Sequence, residues 1–537
     1  MAVGEVAVKR LGALPVIGAY LERLGLKERV DALAPVREVA HLSNGAVVAA
    51  LVANRLTAPR PLYDIVDWAE DWAVEETLGI RPTDLNDDRL GRCLDDVAAV
   101  HDRLRGELTV QAIAAFGLRT TTLRWDLTSV LVTGAYPEAE QQPGYARLQY
   151  GYGGGDQKQV RYLQVTTDDG AVPLWDQVHD GSTADVATVV QTMRALREHA
   201  GCSDFVLVGD SKLLSVPNRA ALLTAGVGYL APLARTPELD AAFLAIPPAE
   251  LVPLDYVSQR ERGKSAEERA SYQGWDSTAA VAVPAPAGGV PPQAVRRLFV
   301  VSSEERDAAR RNRARQRERA EAEIARVIAG IGGRWYPTVE RARAKIEAIL
   351  DQRRLGGLYR VSDAEQAGRP ALACELVPAA LARAEALDGY YVLETTRPAA
   401  EADPTALLTT WKGQWQVEHR HRDGKGPLRI RPLFVTSNRR IVGLVTILGI
   451  ALMVFSLLER EARRTLGAAE KVADLLAGHV AARPTGDNLL KALREISLVT
   501  FQFAGTRHRA PSDLTPLHRT LLRLLGVPED AYARLAA

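Results

Sequence analysis

The spacing of apolar and polar residues divides the first part of the chain into two kinds of segment. Up to about residue 118, apolar residues recur every three or four positions, as in GAYLERLGLKERVDAL, and Ser43 and Asn44 give a capping signal before another apolar stretch. From about residue 119, runs of β-branched and aromatic residues are bounded by turn residues, with Asp169 and Gly170 where a hairpin would turn. The pattern predicts a helical N-terminal domain, 1–118, for DNA binding or dimerisation, followed by a sheet.

The order of the next elements predicts the fold class. Three strand-like runs, TTTLRWDLTSVLVTG, VRYLQVTTDDG and AVPLWDQVHDG, precede an amphipathic helix that ends at Gly201, and a further strand then ends in Asp210. This order is typical of an α/β fold of the ribonuclease H-like type, a mixed sheet flanked by helices. We expect the first part of that core at 119–234 and its second part at 401–465.

The remaining segments are less regular. Residues 235–400 mix both patterns and include an arginine-rich helix, with seven arginines between Arg306 and Arg319. Such a run is usually a solvated face, and contact with phosphate is the alternative. Residues 466–537 are expected to form a helical C-terminal region.

One apolar run permits two interpretations. Residues 441–458 contain no charge over 18 positions, which reaches the lower length limit for a membrane span. Gly443 and Gly449 within the run and dense charge on both flanks favour a buried core helix instead.

Composition narrows the class of protein without identifying it. With 537 residues and 47% hydrophobic residues, the chain should form two to four globular domains. Its 67 basic and 66 acidic residues nearly cancel, so a nucleic-acid partner would need a local basic surface. The three cysteines are far apart and the N-terminus lacks a secretory pattern, which fits a reducing cytosol.

Two aspartates occupy positions where charge is costly. Asp126 lies within an apolar strand and Asp210 at the tip of another. A buried carboxylate needs a partner. The structural interpretation is that Asp126 meets an arginine and that Asp210 caps the segment after it.

A third acid lies on a predicted helix. Asp403 and Pro404 provide a start signal, and Gly424, Gly426 and Pro427 a stop, which predicts one helix over 404–423. One stripe of that helix would combine aromatic, acidic and basic residues: Trp411, Gln414 or Trp415, Glu418, Arg422 and, just past the end, Lys425.

This stripe resembles the signature of DDE transposases of bacterial insertion sequences, in the family-four group. The signature is tyrosine, two residues, arginine, three residues, glutamate, six residues, lysine; here Trp411, Gln414, Glu418 and Lys425 have the same spacing, with tryptophan and glutamine at the first two positions. WDLTS around Asp126, VGDSKLLS around Asp210 and DGYYVLETT resemble the neighbouring motifs, so the resemblance covers about 119–460. In DGSTAD, we interpret Asp180 and Asp185 as a turn residue and a helix cap.

The resemblance implies a two-metal catalytic site. Asp126, Asp210 and Glu418 would be the catalytic carboxylates and would hold two Mg²⁺ ions, with Mn²⁺ as a possible substitute and Asp126 bridging the pair. It also implies a β-rich insertion before the glutamate helix. The residues expected to contact DNA are Lys425, Arg422, Trp411, Gln414, Trp415 and Lys212. For His419 and His421, phosphate contact or packing is favoured over metal ligation, because Mg²⁺ prefers oxygen ligands.

The resemblance further implies the function. The protein would bind the terminal inverted repeats of its element in double-stranded DNA, cleave phosphodiesters there and transfer the 3′-hydroxyl ends to target DNA. Pairing two ends implies a homodimer, acting on the nucleoid in a bacterial cytoplasm and not at a membrane. The alternatives are a nuclease of the same fold that never joins ends, a catalytically inactive descendant that only binds DNA, and, from the apolar run, a membrane protein.

Overall fold

The computed structural model describes residues 6–38, 40–151, 155–283, 290–366, 369–429, 435, 437–467, 471–503 and 506–536. The chain forms two compact units, one of residues 1–229 with 412–537 and the other of residues 230–411. The helices are α1 Leu14–Arg23, α2 Leu26–Leu33, α3 Asn44–Thr57, α4 Ile65–Asp71, α5 Val74–Leu78, α6 Asp87–Ala99, α7 His101–Phe116, α8 Val189–Glu198, α9 Val216–Thr224, α10 Pro237–Leu244, α11 Ser303–Ala329, α12 Val339–Gln352, α13 Pro378–Ala386, α14 Pro404–Lys412, α15 Trp415–Lys425, α16 Asn438–Leu466, α17 Gly486–Leu493, α18 Pro516–Leu525 and α19 Asp530–Ala533. The strands are β1 Val6–Arg10, β2 Thr122–Leu131, β3 Gln159–Thr167, β4 Pro173–His179, β5 Val206–Val208, β6 Gly228–Pro232, β7 Val252–Leu254, β8 Tyr272–Val283, β9 Val290–Ser302, β10 Tyr359–Gln366, β11 Arg369–Leu376, β12 Tyr390–Thr395, β13 Val472–Ala473, β14 Ala481–Ala482, β15 Ser497–Phe503 and β16 Thr506–Pro511.

The sheet of the first unit has the predicted order of elements. Strands β2, β3 and β4 pair antiparallel in sequence, and the chain turns between β3 and β4 at Gly170, whose φ of 103° suits glycine. Helix α8 then leads to β5, which pairs parallel to β2. The prediction of a mixed α/β sheet flanked by helices is therefore confirmed.

The N-terminal region is helical, as predicted, from α1 to α7. The Ser43 side chain accepts a hydrogen bond from the backbone N–H of Ala46, so it caps α3 as its position suggested. The prediction missed β1, which pairs antiparallel with β15.

The apolar run lies in α16, a 29-residue helix that is buried from Ile441 to Ala462. By length and composition it could cross a membrane, but all of its apolar window is buried inside the first unit, as in a core helix. The two glycines permit this packing. A Cβ on Gly443 would lie 2.2 Å from the carbonyl oxygen of Leu94, and one on Gly449 would lie 1.8 Å from a carboxylate oxygen of Asp176.

The second unit contains its own antiparallel strands, in the order β6, β12, β9, β8, β7, and a separate hairpin of β10 and β11. Helices α11 and α12 pack through Ala320, Ile324 and Ile346 into a small apolar core with the β10–β11 hairpin. The region before the glutamate helix thus combines strands with long helices.

Two predictions of secondary structure are wrong. The predicted helix over 404–423 is two helices, α14 and α15, separated at Gly413 and Gln414. The C-terminal region is not purely helical, because β15 and β16 form a three-stranded sheet with β1. The partner strand β1 lies at the opposite end of the sequence, so no local pattern indicates that pairing.

Candidate active site

Asp126 and Asp210 come near each other because β2, which contains Asp126, pairs in parallel with β5, the strand just before Asp210. Thr122, Leu123 and Arg124 of β2 pair with Val206, Leu207 and Val208 of β5. Asp126 lies two residues past Arg124 within β2, and Asp210 lies two residues past Val208, just after β5 has ended. Adjacent strands are about 4.8 Å apart, and the charge of Asp126 raises the pKa of Asp210, so the two acids lie near each other.

Helix α15 places Glu418 beside the same strand. The side-chain amide of Gln414 donates a 2.8 Å hydrogen bond to the carbonyl oxygen of Trp125, and the ammonium group of Lys425 lies 2.5 Å from the hydroxyl oxygen of Thr128. These two bonds hold α15 against β2 on either side of Asp126. Glu418 is exposed between them.

A buried arginine fixes the other side of α15. Arg420, with 3% of its side chain exposed, donates to the carbonyl oxygens of Gly170 and Ala171 at 2.8 and 3.1 Å. It also forms ion pairs with Asp423 and with Glu459 of α16, both at 2.8 Å. The helix that carries Glu418 is thus joined to the β3–β4 turn and to the core helix.

The break before α15 falls at a glycine that lies close to β2. A Cβ on Gly413 would lie 2.4 Å from a guanidinium nitrogen of Arg124. Arg124 is buried and forms an ion pair with Asp168. Glycine at this point therefore leaves room for the buried side chain of Arg124.

The charge of Asp126 acts on both of the other acids. Burial raises the pKa of Asp210, and the charges of Asp126 and Asp185 raise it further. Burial likewise raises the pKa of Glu418, and the charge of Asp126 adds to this effect while His421 and Arg422 oppose it. Asp126 is thus close enough to repel both other carboxylates, as expected of a site that a cation would neutralise.

The carboxylates are not drawn together in this structure. Among the described residues, no three acidic, histidine or cysteine side chains converge closely enough to hold a metal ion. The Asp210 carboxylate accepts a 3.0 Å hydrogen bond from the backbone N–H of Lys212, which is the capping role that its position suggested. The donor chemistry, three carboxylates, nevertheless suits a hard divalent ion such as Mg²⁺, and the side chains would have to rotate toward one another to bind it.

Two further residues contact the acids. Nε2 of His421 lies 3.4 Å from a carboxylate oxygen of Asp126, so Asp126 faces a histidine and not the expected arginine. Asp185 does not cap a helix with its side chain; it forms ion pairs with Arg161 and Lys212. The spacing of His421, three residues after Glu418, could have indicated that both lie on one side of a helix. No sequence signal identified the partners of Asp185.

The residues predicted to contact DNA occupy different surroundings. Gln414 and Lys425 bond to β2, as described above, and Lys212 pairs with Asp185. Trp415, 40% exposed, and Arg422 lie on the exposed side of α15 that also carries Glu418.

The other predicted aromatic contact, Trp411, belongs to the second unit, where its ring centre lies 5.0 Å from that of Tyr391. The contacts of Trp411 and of the other five predicted residues with DNA stay predictions.

Comparison with known proteins gives two sequence matches. Residues 6–104 match a domain of unknown function (DUF4277), and residues 121–454 match the transposase DDE domain. No curated protein matches.

Two similar solved structures are both transposases. One is described as a cryo-EM structure of the piggyBac transposase synaptic complex with hairpin DNA; it has 9% identity and a TM-score of 0.38, over 98% of this chain and 83% of that one. The other, a Mos1 transposase paired-end complex with the left transposon end, has 11% identity and a TM-score of 0.15, over 36% of this chain and 60% of that one. TM-scores this low do not establish a shared fold, so the family assignment depends on the sequence match.

The transposase DDE model spans more than half of the sequence and includes Asp126, Asp210 and Glu418. The chain therefore belongs to the DDE transposase family, a family of metal-dependent enzymes that cleave phosphodiester bonds in DNA.

Proposed function

We propose that this protein is the transposase of a bacterial insertion sequence of the family-four group. It binds the terminal inverted repeats of its element, cleaves the phosphodiester at each end and joins the freed 3′-hydroxyls to target DNA. The spacing of Trp411, Gln414, Glu418 and Lys425 supports the group assignment. At the DNA ends, one set of carboxylates catalyses both steps, hydrolysis and then strand transfer.

The catalytic carboxylates would be Asp126, Asp210 and Glu418, and the same three residues would hold two Mg²⁺ ions. When bound, such a pair activates the attacking oxygen and neutralises the leaving oxygen of an in-line displacement. The observation that carries this proposal is the parallel pairing of β2 and β5, which supports a position of Asp126 near Asp210, together with the hydrogen bond that holds the helix of Glu418 against β2. The raised pKa values of Asp210 and Glu418 support it, since both respond to the charge of Asp126.

The chain's other residues would position the carboxylates and the DNA. His421 and the hydrogen bond of Gln414 to β2 keep Asp126 and Glu418 in place until the acids bind a cation. Arg422 and Trp415, exposed beside Glu418, are suited to a phosphate and to stacking on a base. Gln414 occupies the signature's arginine position and bonds to protein instead, so we assign the phosphate contact to Arg422.

Cleavage of inverted-repeat DNA by the purified protein tests the assignment. With Mg²⁺ present, we expect Asp126→Ala, Asp210→Ala and Glu418→Ala each to lower the rate at least about 100-fold, because changing even an outer-shell partner of a metal costs about 10- to 100-fold. Asp204→Ala and Glu198→Ala are matched controls: both acids are exposed in the same unit, Asp204 just before β5 and Glu198 at the end of α8. The controls should cut at the wild-type rate.

Joining of the cut ends to a plasmid separates transposition from simple hydrolysis. The proposal requires both cleavage and joined products. Cleavage without joining would identify a nuclease of this fold, and binding without cleavage an inactive descendant. If any one of the alanine variants cleaves the DNA at the wild-type rate, the substituted residue does not belong to the catalytic set.

The assembly and location follow from the same proposal. Two element ends must be held together for joining, so we expect a homodimer on DNA, in the bacterial cytoplasm. Mn²⁺ should replace Mg²⁺, since both accept carboxylate and water ligands.

A further inference from the structure

Helix α11 presents two faces of opposite character. Its 27 residues begin where the Ser302 hydroxyl accepts a hydrogen bond from the backbone N–H of Glu305. Ala320, Ile324 and Val327 are buried against the second unit. The opposite face is therefore directed to solvent over the length of the helix.

Some of the α11 arginines serve the fold. Arg313 forms an ion pair with Asp388, which also lies 3.8 Å from Arg310. Arg317 donates to the hydroxyl of Tyr359 at 3.3 Å and pairs with Glu321 at 3.4 Å. These side chains fasten the helix to neighbouring elements of its own unit.

Three other arginines have no such role. Arg311, Arg315 and Arg319, called the arginine stripe here, are spaced by four residues and are all exposed. In the parts of the chain that the structure describes, none of the three side chains forms a hydrogen bond or an ion pair. Three acids adjoin the stripe: Asp307 four residues before Arg311, Glu318 next to Arg319, and Glu323 four residues after Arg319. Among those residues none of the three pairs with the stripe, and Glu323 pairs with Arg353 instead.

The spacing within the stripe brings like charges close to one another on the helix surface. Opposite charges four residues apart stabilise a helix by about 0.2 to 0.5 kcal/mol, and like charges at that spacing destabilise it by a similar amount. The stripe places like charges at that spacing twice. An anion from outside the chain would remove this repulsion, and three guanidinium groups over about 12 Å of helix offer the paired donors that phosphate accepts.

We propose that the arginine stripe of α11 binds the phosphate backbone of double-stranded DNA, as a contact additional to those around the catalytic carboxylates. The inference rests on the proposed function, because that function supplies duplex DNA as the partner. The contact carries no sequence information and strengthens binding to any duplex.

The salt dependence of DNA binding tests this contact. The full-length protein is bound to inverted-repeat duplex in the presence of chelator, and the dissociation constant is measured between about 50 and 200 mM salt. Each phosphate contact contributes about 0.9 to the slope of log affinity against log salt. The triple variant Arg311→Gln/Arg315→Gln/Arg319→Gln should lower the slope by about 2 to 3 and weaken binding at least about tenfold at the lower salt.

A matched triple variant controls for net charge. Arg341, Arg360 and Arg383 are exposed in the same unit but lie on α12, β10 and α13. Arg341→Gln/Arg360→Gln/Arg383→Gln removes the same charge and should change the slope by less than about 1. Glu318→Lys adds a cation beside the stripe and should steepen the slope, which tests the contact even if the first triple variant fails to fold.

The outcomes distinguish the two proposals. Wild-type protein that does not bind inverted-repeat DNA would overturn the proposed function and this inference with it. Wild-type protein that binds and cuts, while the stripe variant keeps the full slope, would overturn the inference alone. If the control triple variant loses as much slope and affinity as the stripe variant, the net charge of the protein, and not the stripe, accounts for the binding.

Discussion

Helices α15 and α11 both carry arginines, yet the charged side chains of α15 and the arginine stripe of α11 have different surroundings. On α15, Arg420 is buried among two carbonyls and two carboxylates, and Lys425 and the adjoining Gln414 bond to β2. On α11, the arginine stripe is exposed. The difference shows that arginine content does not reveal a residue's role; the groups that face each side chain do.

The largest effect expected from this contrast is on stability. Arg420→Gln should lower the free energy of unfolding by about 3 kcal/mol, near the lower limit for breaking a buried ion pair, because Arg463 still pairs with Glu459. Arg315→Gln on α11 should change it by less than about 0.5 kcal/mol, as exposed substitutions do. Denaturant unfolding measures both values. Equal losses in the two variants would contradict the distinction between the helices.

A smaller effect is expected where α15 begins. Gln414→Ala removes the hydrogen bond to the carbonyl of Trp125 and should cost about 1 kcal/mol of stability. It should also slow cleavage more than it weakens DNA binding, because Glu418 is then held less firmly. Asn312→Ala, an exposed polar residue of α11, is the control and should alter neither quantity. A Gln414→Ala protein with wild-type cleavage would show that the bond does not position Glu418.

The smallest effect is a pH dependence. The pKa of Glu418 is raised in the folded protein, so the native state holds this proton at pH values where the unfolded chain, with a pKa of about 4.3, has released it. Stability in chelator should therefore fall as pH rises through the window above the unfolded pKa, with the full loss present above the folded pKa. Glu418→Gln should reduce that fall, whereas Glu318→Gln on α11 should not. Melting temperatures from acidic to neutral pH would show it, and identical pH profiles for wild type and Glu418→Gln would contradict it.

Local patterns predicted most of the sheet. β-branched runs, the Asp169–Gly170 turn and the helix ending near Gly201 lie within a few residues of the observed elements, because each depends on adjacent residues. The sequence prediction missed the break at Gly413 because it weighed only the start signals at Asp403 and Pro404 and the stop signals from Gly424 on, whereas a glycine inside a helix lowers its stability. The pairing of β1 with β15 joins the two ends of the sequence and has no local signal.

The candidate site, like the sheet, was predictable only where it depends on residues that are adjacent in the sequence. The spacing around Glu418, the aspartate within one strand and the aspartate after another led to the prediction of three catalytic acids, and that assignment stays a prediction. Which groups face those acids depends on tertiary contacts, and so the pairing of Asp185 with Arg161 and the position of His421 beside Asp126 became visible only in the structure.

The arrangement of the acids along the chain has a consequence for synthesis. Asp126 lies on β2 and Asp210 directly after β5, and these two strands can pair as soon as β5 has left the ribosome, since chains fold from the N-terminus during translation. Glu418 follows only after the whole of residues 230–411 has been made. A growing polypeptide therefore carries two of the three proposed catalytic acids while residues 230–411 are being made, and the proposed site stays incomplete until Glu418 has been synthesised.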